Sequence, residues 1–328
     1  MQGQLASLAE PGSAEQASAG HDAATMTAVA KAAVLPDRSV VAISGPDRVK
    51  FLQGLTTNDI RRLAPAKALY AGFLTGHGKL LCDVFLIDDG DRILIDIASS
   101  LAGDFVTRLT AFKLRAAIEI GEVVPALAVA AVWGAAAAAR LGLDPVEGMA
   151  GGREVAKPDH AFVDPRLAAL GARIVYPADD ALGARLDELG FARATQEDYA
   201  THRLALGIAD TVEIAGETCY ALEANLEMLH GVDFKKGCYV GQEQTARMKL
   251  KGGLRKRILP VTGATALPGA GAAITADGAR LGHLIAASGA RGLALLRLDH
   301  LAEARDGAIR AEDVPLSVHW PDWLPRGT

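Results

Sequence analysis

Cysteine is scarce in this chain: Cys82, Cys219 and Cys238 are the only three in 328 residues. Three scattered thiols cannot build a disulfide framework, and an odd number leaves at least one free, so a reducing cytoplasm fits best. CxxC, HExxH and any acid–histidine cluster at metal spacing are missing, which removes support for a stably bound metal or a permanent iron-sulfur cluster. No apolar run reaches the length of a membrane span; the longest, PALAVAAVWGAAAAARLG, is alanine-heavy and broken by Gly134. The stretch 1–25 has no Lys or Arg and no apolar core, so it matches neither a secretory signal nor an arginine-rich transit peptide. It reads as a disordered tail, with Met26 as a candidate start. A net charge of -5 gives no general attraction to nucleic acid or an anionic membrane, so any anion site must be local.

What is present is the composition of a folded protein, 50% hydrophobic and 22% charged, in a chain long enough for two or three compact units. SVVAISGPDRVKFLQGLTTNDI reads as a strand and then a helix opened by Pro46 at its first position and ending near Thr56. KALYAGFLT, LLCDVFLID and RILIDIA, separated by the turns GHGK and DDGD, predict an antiparallel meander. A helix over SSLAGDFVTRLTAFKLR follows, with Leu101, Phe105 and Leu109 spaced for burial, and then a strand at AAIEIGEV. The next unit holds strands at LAVAAVWG and ARIVYP, and helices at AAAAARLG, DDALGARLDELG and TQEDYATHRLAL. The last is capped by Thr195 with Asp198 and closed by Gly207. From about Gly252 short β-like runs with glycine turns predict a small barrel or sandwich. The class is α+β. The divisions are a tail at 1–25, a first α+β domain at 26–125, a second at 126–250 and a barrel at 251–328.

Chemistry concentrates in GVDFKKGCYVGQEQTARMKLKGG, residues 231–253. Between 235 and 257 stand eight basic residues, Lys235, Lys236, Arg247, Lys249, Lys251, Arg255, Lys256 and Arg257, against the one acid Glu243, a local charge of +7. This is either a solvated linker or an anion site for carboxylates, phosphates or RNA backbone. The lack of interleaved aromatics disfavours base stacking, so direct nucleic-acid binding is not expected. Cys238, beside two lysines and just before a helix start at Gly241, is either a reactive thiol or a buried packing residue. GFLTGHGKL lacks the spacing and the Ser or Thr of a phosphate loop and reads as a hairpin turn. GAGAAI lies in β-rich sequence, not in a strand-to-helix turn, so it is no dinucleotide fingerprint.

KGCYVGQE, Lys236 to Glu243, resembles the signature segment of the YgfZ family of folate-binding-type proteins, relatives of the glycine-cleavage aminomethyltransferase. FLQGLTTNDI, GFLTGHGKLLCDVFLI, HRLALGIAD, LEANLEMLHGVDFKKGCYVGQE and ARLGHLIAASGARGLALLRLD extend the likeness over most of the chain. The resemblance implies a three-domain ring, two intertwined ferredoxin-like α+β domains plus a barrel, around an opening that holds tetrahydrofolate. It implies an accessory role, rather than catalysis, in assembling or repairing iron-sulfur clusters. The partners are then client enzymes and assembly machinery, with transfer-RNA thiolation affected indirectly. In this view Cys238 is the reactive thiol, Lys236 and Lys235 hold it as thiolate, and Gln242 with Glu243 fixes the turn that presents it. Asp83, Glu223, Arg247, Lys235 and Gln242 are the folate-binding candidates. Two departures stand out. Cys82 and Asp83 occupy the place of paired aspartates, and Ala205 stands where the pterin-gripping glutamate is expected. Glu223 is the substitute candidate; otherwise it is a surface carboxylate. A folate-dependent aminomethyl or methyl transferase and an RNA-binding module are the competing readings.

Overall fold

The computed structural model describes residues 29–124, 126–151, 160–178, 181–305 and 307–326. The tail expected at 1–25 and the start at Met26 lie outside them. The chain runs β1 (Lys31–Val34), β2 (Arg38–Ser44), α1 (Arg48–Gln53), β3 (Leu69–Leu74), β4 (Leu80–Asp89), β5 (Arg92–Ala98), α2 (Ser99–Lys113) and β6 (Glu119–Val123). It continues through β7 (Leu127–Trp133), α3 (Ala137–Arg140), β8 (His160–Val163), β9 (Ala172–Pro177), α4 (Ala181–Glu188), β10 (Ala192–Arg193), α5 (Gln196–Ala205), α6 (Thr211–Ile214) and α7 (Gln242–Leu250). The last unit is β11 (Lys256–Gly263), β12 (Ala273–Ala276), β13 (Ala279–Ser288), β14 (Arg291–Arg297), α8 (Leu298–Glu303), β15 (Ile309–Ala311) and β16 (Val314–Val318).

The expected meander forms three of the five strands of the first sheet, ordered β3-β4-β5-β2-β6. β4 is buried on both faces, and its period of two sorts the side chains. Cys82, Val84 and Leu86 pack with Ala102, Phe105 and Leu109 of α2, while Phe85 and Ile87 point the other way. Helix α1 begins later than expected. Pro46 lies two residues before it, and the Asp47 carboxylate accepts the Ala117 amide at 2.8 Å instead of capping the helix. Helix α5 carries the full capping box of Thr195 and Asp198.

The second sheet is β10-β1-β7-β9-β8. Its strand β1 comes from the very start of the described chain and pairs antiparallel with β7, Lys31 opposite Trp133. The two α+β units therefore share chain across residue 125. The third unit is a closed six-stranded barrel, β11-β14-β13-β12-β15-β16. All three meet on one apolar core that includes Tyr70 and Phe85 from the first sheet, Trp133 and Phe162 from the second, and Ile258 and Leu295 from the barrel.

Between the two sheets lies a buried web of charge. Asp96 accepts Arg38 Nε at 2.6 Å and Arg173 Nη1 at 2.9 Å, and Asp164 accepts Arg166 Nη2 at 2.8 Å and Arg173 Nε at 3.3 Å. Guanidiniums of Arg173 and Arg166 stand 4.0 and 4.9 Å from the Phe85 ring centre. Burial works to raise the Asp164 carboxyl, but Arg166 and then Arg173 outweigh it and hold it below the ordinary carboxylate range.

Candidate functional site

The segment 230–240 rests in a cradle made by residues 53–58, and the polar run TTND builds that cradle. Thr57 Oγ1 donates to Gly231 O at 2.6 Å, and Asn58 Nδ2 donates to His230 O at 2.8 Å. The Asp233 amide donates to Thr57 O at 3.0 Å, and the Val240 amide to Gly54 O at 3.1 Å. The fifth tie is Lys236. Its Nζ donates to Gln53 O at 2.9 Å, Thr56 O at 2.5 Å and Asn58 O at 2.8 Å, three carbonyls at the end of α1 and in the loop after it. Burial pushes this ammonium down to about 8, with Asp59 and Asp233 pulling the other way.

Lys236 and Tyr239 turn inward, leaving Gly237 and Cys238 outside. Cys238 is the one exposed cysteine; Cys82 and Cys219 are buried. Burial pushes the Cys219 thiol up to about 12 and the Cys82 thiol higher still. Gly241 follows at φ +80, where a Cβ would sit 2.5 Å from Thr75 O, so the turn into α7 needs glycine. Lys236 thus holds the loop's shape with its charge directed at backbone carbonyls, and the expectation that it serves the Cys238 sulfur gives way to a positioning role. Lys235 and Arg247 are exposed, and Gln242 is half-buried at the first position of α7. The side chains of Gln242 and Glu243 make no hydrogen bond among the described residues; the backbone, Gln242 N to Tyr239 O at 3.2 Å, closes that turn. Nor is the basic run one patch. Lys236 and Arg257 are buried, Arg257 Nη1 donating to Asn225 Oδ1 at 2.8 Å, and Lys249 pairs with Glu227.

The folate candidates do not converge. Asp83 is 1% exposed; its Oδ2 accepts the Tyr70 hydroxyl at 2.7 Å, and its Oδ1 is buried without a partner. Burial and then the Asp83 charge push that hydroxyl well above its usual range. Cys82, next along β4, faces α2 on the opposite side, so the two positions cannot act as a pair. Glu223 is buried, not a surface carboxylate, and accepts the Tyr220 amide at 2.9 Å. Ala205 is exposed at the end of α5. Two cavities flank α6. One of 200 Å³ is lined by Asp37, Arg38, Tyr199 and Arg203, the other of 280 Å³ by Cys219, Thr218 and His283, and none of Asp83, Ala205 and Glu223 lines either. Sequence reasoning missed Tyr70 and the role of TTND as a cradle; a polar quartet between the apolar end of α1 and the apolar strand β3 was the available signal.

Among the described residues no group of three or more His, Cys, Asp or Glu could hold a metal ion, and no helix is long and apolar enough to cross a membrane. The family model "CAF17, C-terminal beta-barrel domain" matches residues 255–326. The human iron-sulfur cluster assembly factor IBA57, mitochondrial, is 32% identical over 318 residues, covering 89% of this chain and 84% of that protein. The chain belongs to the IBA57 family. Its IBA57 homologue in Mycosarcoma maydis is 34% identical over 248 residues, 71% of this chain and 57% of the relative. That of Neurospora crassa is 33% identical over 239 residues. This chain spans little more than half the length of these two fungal IBA57 proteins, 57% and 52%. Among solved structures, the glycine cleavage system aminomethyltransferase T from Bartonella henselae superposes with a TM-score of 0.74 at 18% identity, covering 92% of this chain and 89% of that one. The chain therefore has the aminomethyltransferase fold.

Proposed function

We propose that this protein is an accessory factor for assembly or repair of iron-sulfur clusters in client enzymes, of the YgfZ type within its family, and that Cys238 is its working thiol. One observation carries the reading: the only exposed cysteine stands at the apex of a loop that five contacts from another domain hold in shape. The family name of the relatives points the same way. A cluster is cargo here. The Cys238 thiol gives up its proton and enters the coordination of one iron as another ligand leaves, with no change of oxidation state. Exposed Lys235 and Arg247 favour an acidic client face. A reducing compartment suits an exposed thiol, and the cytoplasm is the proposed location. Loss of cluster-bearing modifying enzymes would lower transfer-RNA thiolation indirectly. Tetrahydrofolate enters through the fold alone. Asp83, Glu223 and Ala205 offer its pterin no carboxylate in an open cavity, so no step is assigned to it.

The buried Tyr70–Asp83 pair favours the transferase as second reading. A strain lacking the gene distinguishes them. Cluster enzymes falling while glycine cleavage holds, with rescue by wild type and not by Cys238→Ala, supports the accessory factor. Normal cluster enzymes with glycine cleavage lost, restored only when Asp83 is intact, supports the transferase.

A further inference from the structure

The first sheet and α2 enclose a cavity of 160 Å³ on the side of β4 away from the charge web. Its walls are apolar: Leu55, Phe73, Leu81, Phe105, Leu109 and Val240. Phe73 and Phe105 meet edge to face at 4.8 Å and form one aromatic wall. At the floor lies the buried Cys82, whose thiol is kept protonated by burial and by Asp83. The charged lining residues, Asp104, Arg108 and Glu217, are all exposed and therefore belong to the mouth. Phe112 stands beside them, 51% exposed.

The chain leaves this space open. Gly216 lines it, and a Cβ there would meet nothing within 4 Å. The neighbouring Glu217 stands at φ +68 with its amide N–H donating to Leu80 O at 2.9 Å, a backbone state that costs a non-glycine residue about 1 kcal/mol. That bond keeps the 216–217 turn against β4 and fixes one edge of the opening. An apolar cavity of about 150 Å³ stays dry and takes up benzene in another, engineered protein, so one ring is the size that fits.

We propose that this cavity is a binding site for a small ligand carrying one apolar ring, its polar substituent left among Asp104, Arg108 and Glu217. The wall residue Val240 is two positions from Cys238, and its amide is fixed to Gly54 O. A ring in the cavity therefore bears on the segment that presents the thiol. This consequence rests on the proposed role of Cys238; the binding does not.

The test is a titration of the full chain with toluene, read by the methyl NMR signals of Leu109 and Val240, against Leu101→Trp. Leu101 is a half-buried lining residue, and an indole there takes up the space the ring would occupy. Saturable shifts in wild type, absent in the variant, are expected. With the cavity filled, the rate of Cys238 alkylation changes about fivefold. Shifts that do not saturate, or that persist in Leu101→Trp, overturn the site. Saturable binding with an unchanged alkylation rate overturns the coupling. Failure of Cys238→Ala to affect client rescue removes the functional reading and leaves the binding result standing.

Discussion

Charge is handled in opposite ways in two regions of this molecule. Between the sheets, Arg38, Arg166 and Arg173 each meet a carboxylate, and the ions are sealed against Phe85. In the segment 230–257 the buried cation Lys236 is met by backbone carbonyls and no carboxylate, and buried Arg257 by the Asn225 amide oxygen, while Lys235 and Arg247 face water. The first arrangement binds two domains together and offers a client nothing. The second uses the charges of Lys236 and Arg257 for shape and leaves others at the surface beside a thiol. A perturbed or buried ionisable group thus marks an interdomain joint in one place and a presenting loop in the other.

The contrast breaks most visibly at Asp96. Asp96→Ala leaves Arg38 and Arg173 without their shared carboxylate and should cost about 3–5 kcal/mol in urea unfolding; a loss below about 1 kcal/mol would mean the web contributes no net attraction. Lys236→Met comes next, with the Gln53 and Thr56 carbonyls losing their donor, Asn58 O keeping the Thr56 hydroxyl, and a cost of about 1–3 kcal/mol. It should also slow client activation while small-reagent alkylation of Cys238 continues, because the sulfur chemistry is intact and only its placement suffers. Unchanged stability would show that the loop holds itself.

Acid sharpens the comparison on the buried side. Burial works to raise Asp210, yet Arg203, Arg38 and further guanidiniums bring it down to about 2 from an ordinary 3.8. Its stabilising contribution is therefore present above pH 3.8 and lost as pH falls towards about 2. Urea midpoints of wild type and Asp210→Asn should converge across that window; parallel curves would contradict the pairing. Smallest in structural effect is Lys235→Glu with Arg247→Glu, expected to leave stability within about 0.5 kcal/mol and to weaken client rescue. Last, native alkylation followed by peptide mapping should find Cys238 modified and Cys82 and Cys219 protected until denaturant is added. Labelling of either buried thiol in the native protein would show that reagent reaches it, through the cavity it lines or through opening of its domain.

Much of the architecture was legible because local signals carried it. The meander, the helix with Phe105 and Leu109, the capping box at Thr195 and the barrel all follow from period, turn residues and caps. The opposite facing of Cys82 and Asp83 was also within reach, since strand alternation alone requires it. What local pattern could not give was long-range. KAAV at 31–34 carries no sign that its partners lie at Trp133 and Ala192. Lys235 and Lys236 look alike in sequence; only the carbonyls of Gln53, Thr56 and Asn58 separate the exposed one from the buried one.

The placement of β1 bears on how the protein is made. A ribosome releases Lys31–Val34 before anything else described here, but β7, its nearest partner, emerges only after the whole first sheet has been synthesised, and β10 later still. Until then a short, largely apolar segment waits unpaired beside a nascent sheet, exposed to capture by other chains. Closing the second sheet brings Lys31–Val34 to β7 and β10 only after the strands of the first sheet have been made. The two halves cannot mature independently, and a pause in translation between β6 and β7 is where misassembly should concentrate.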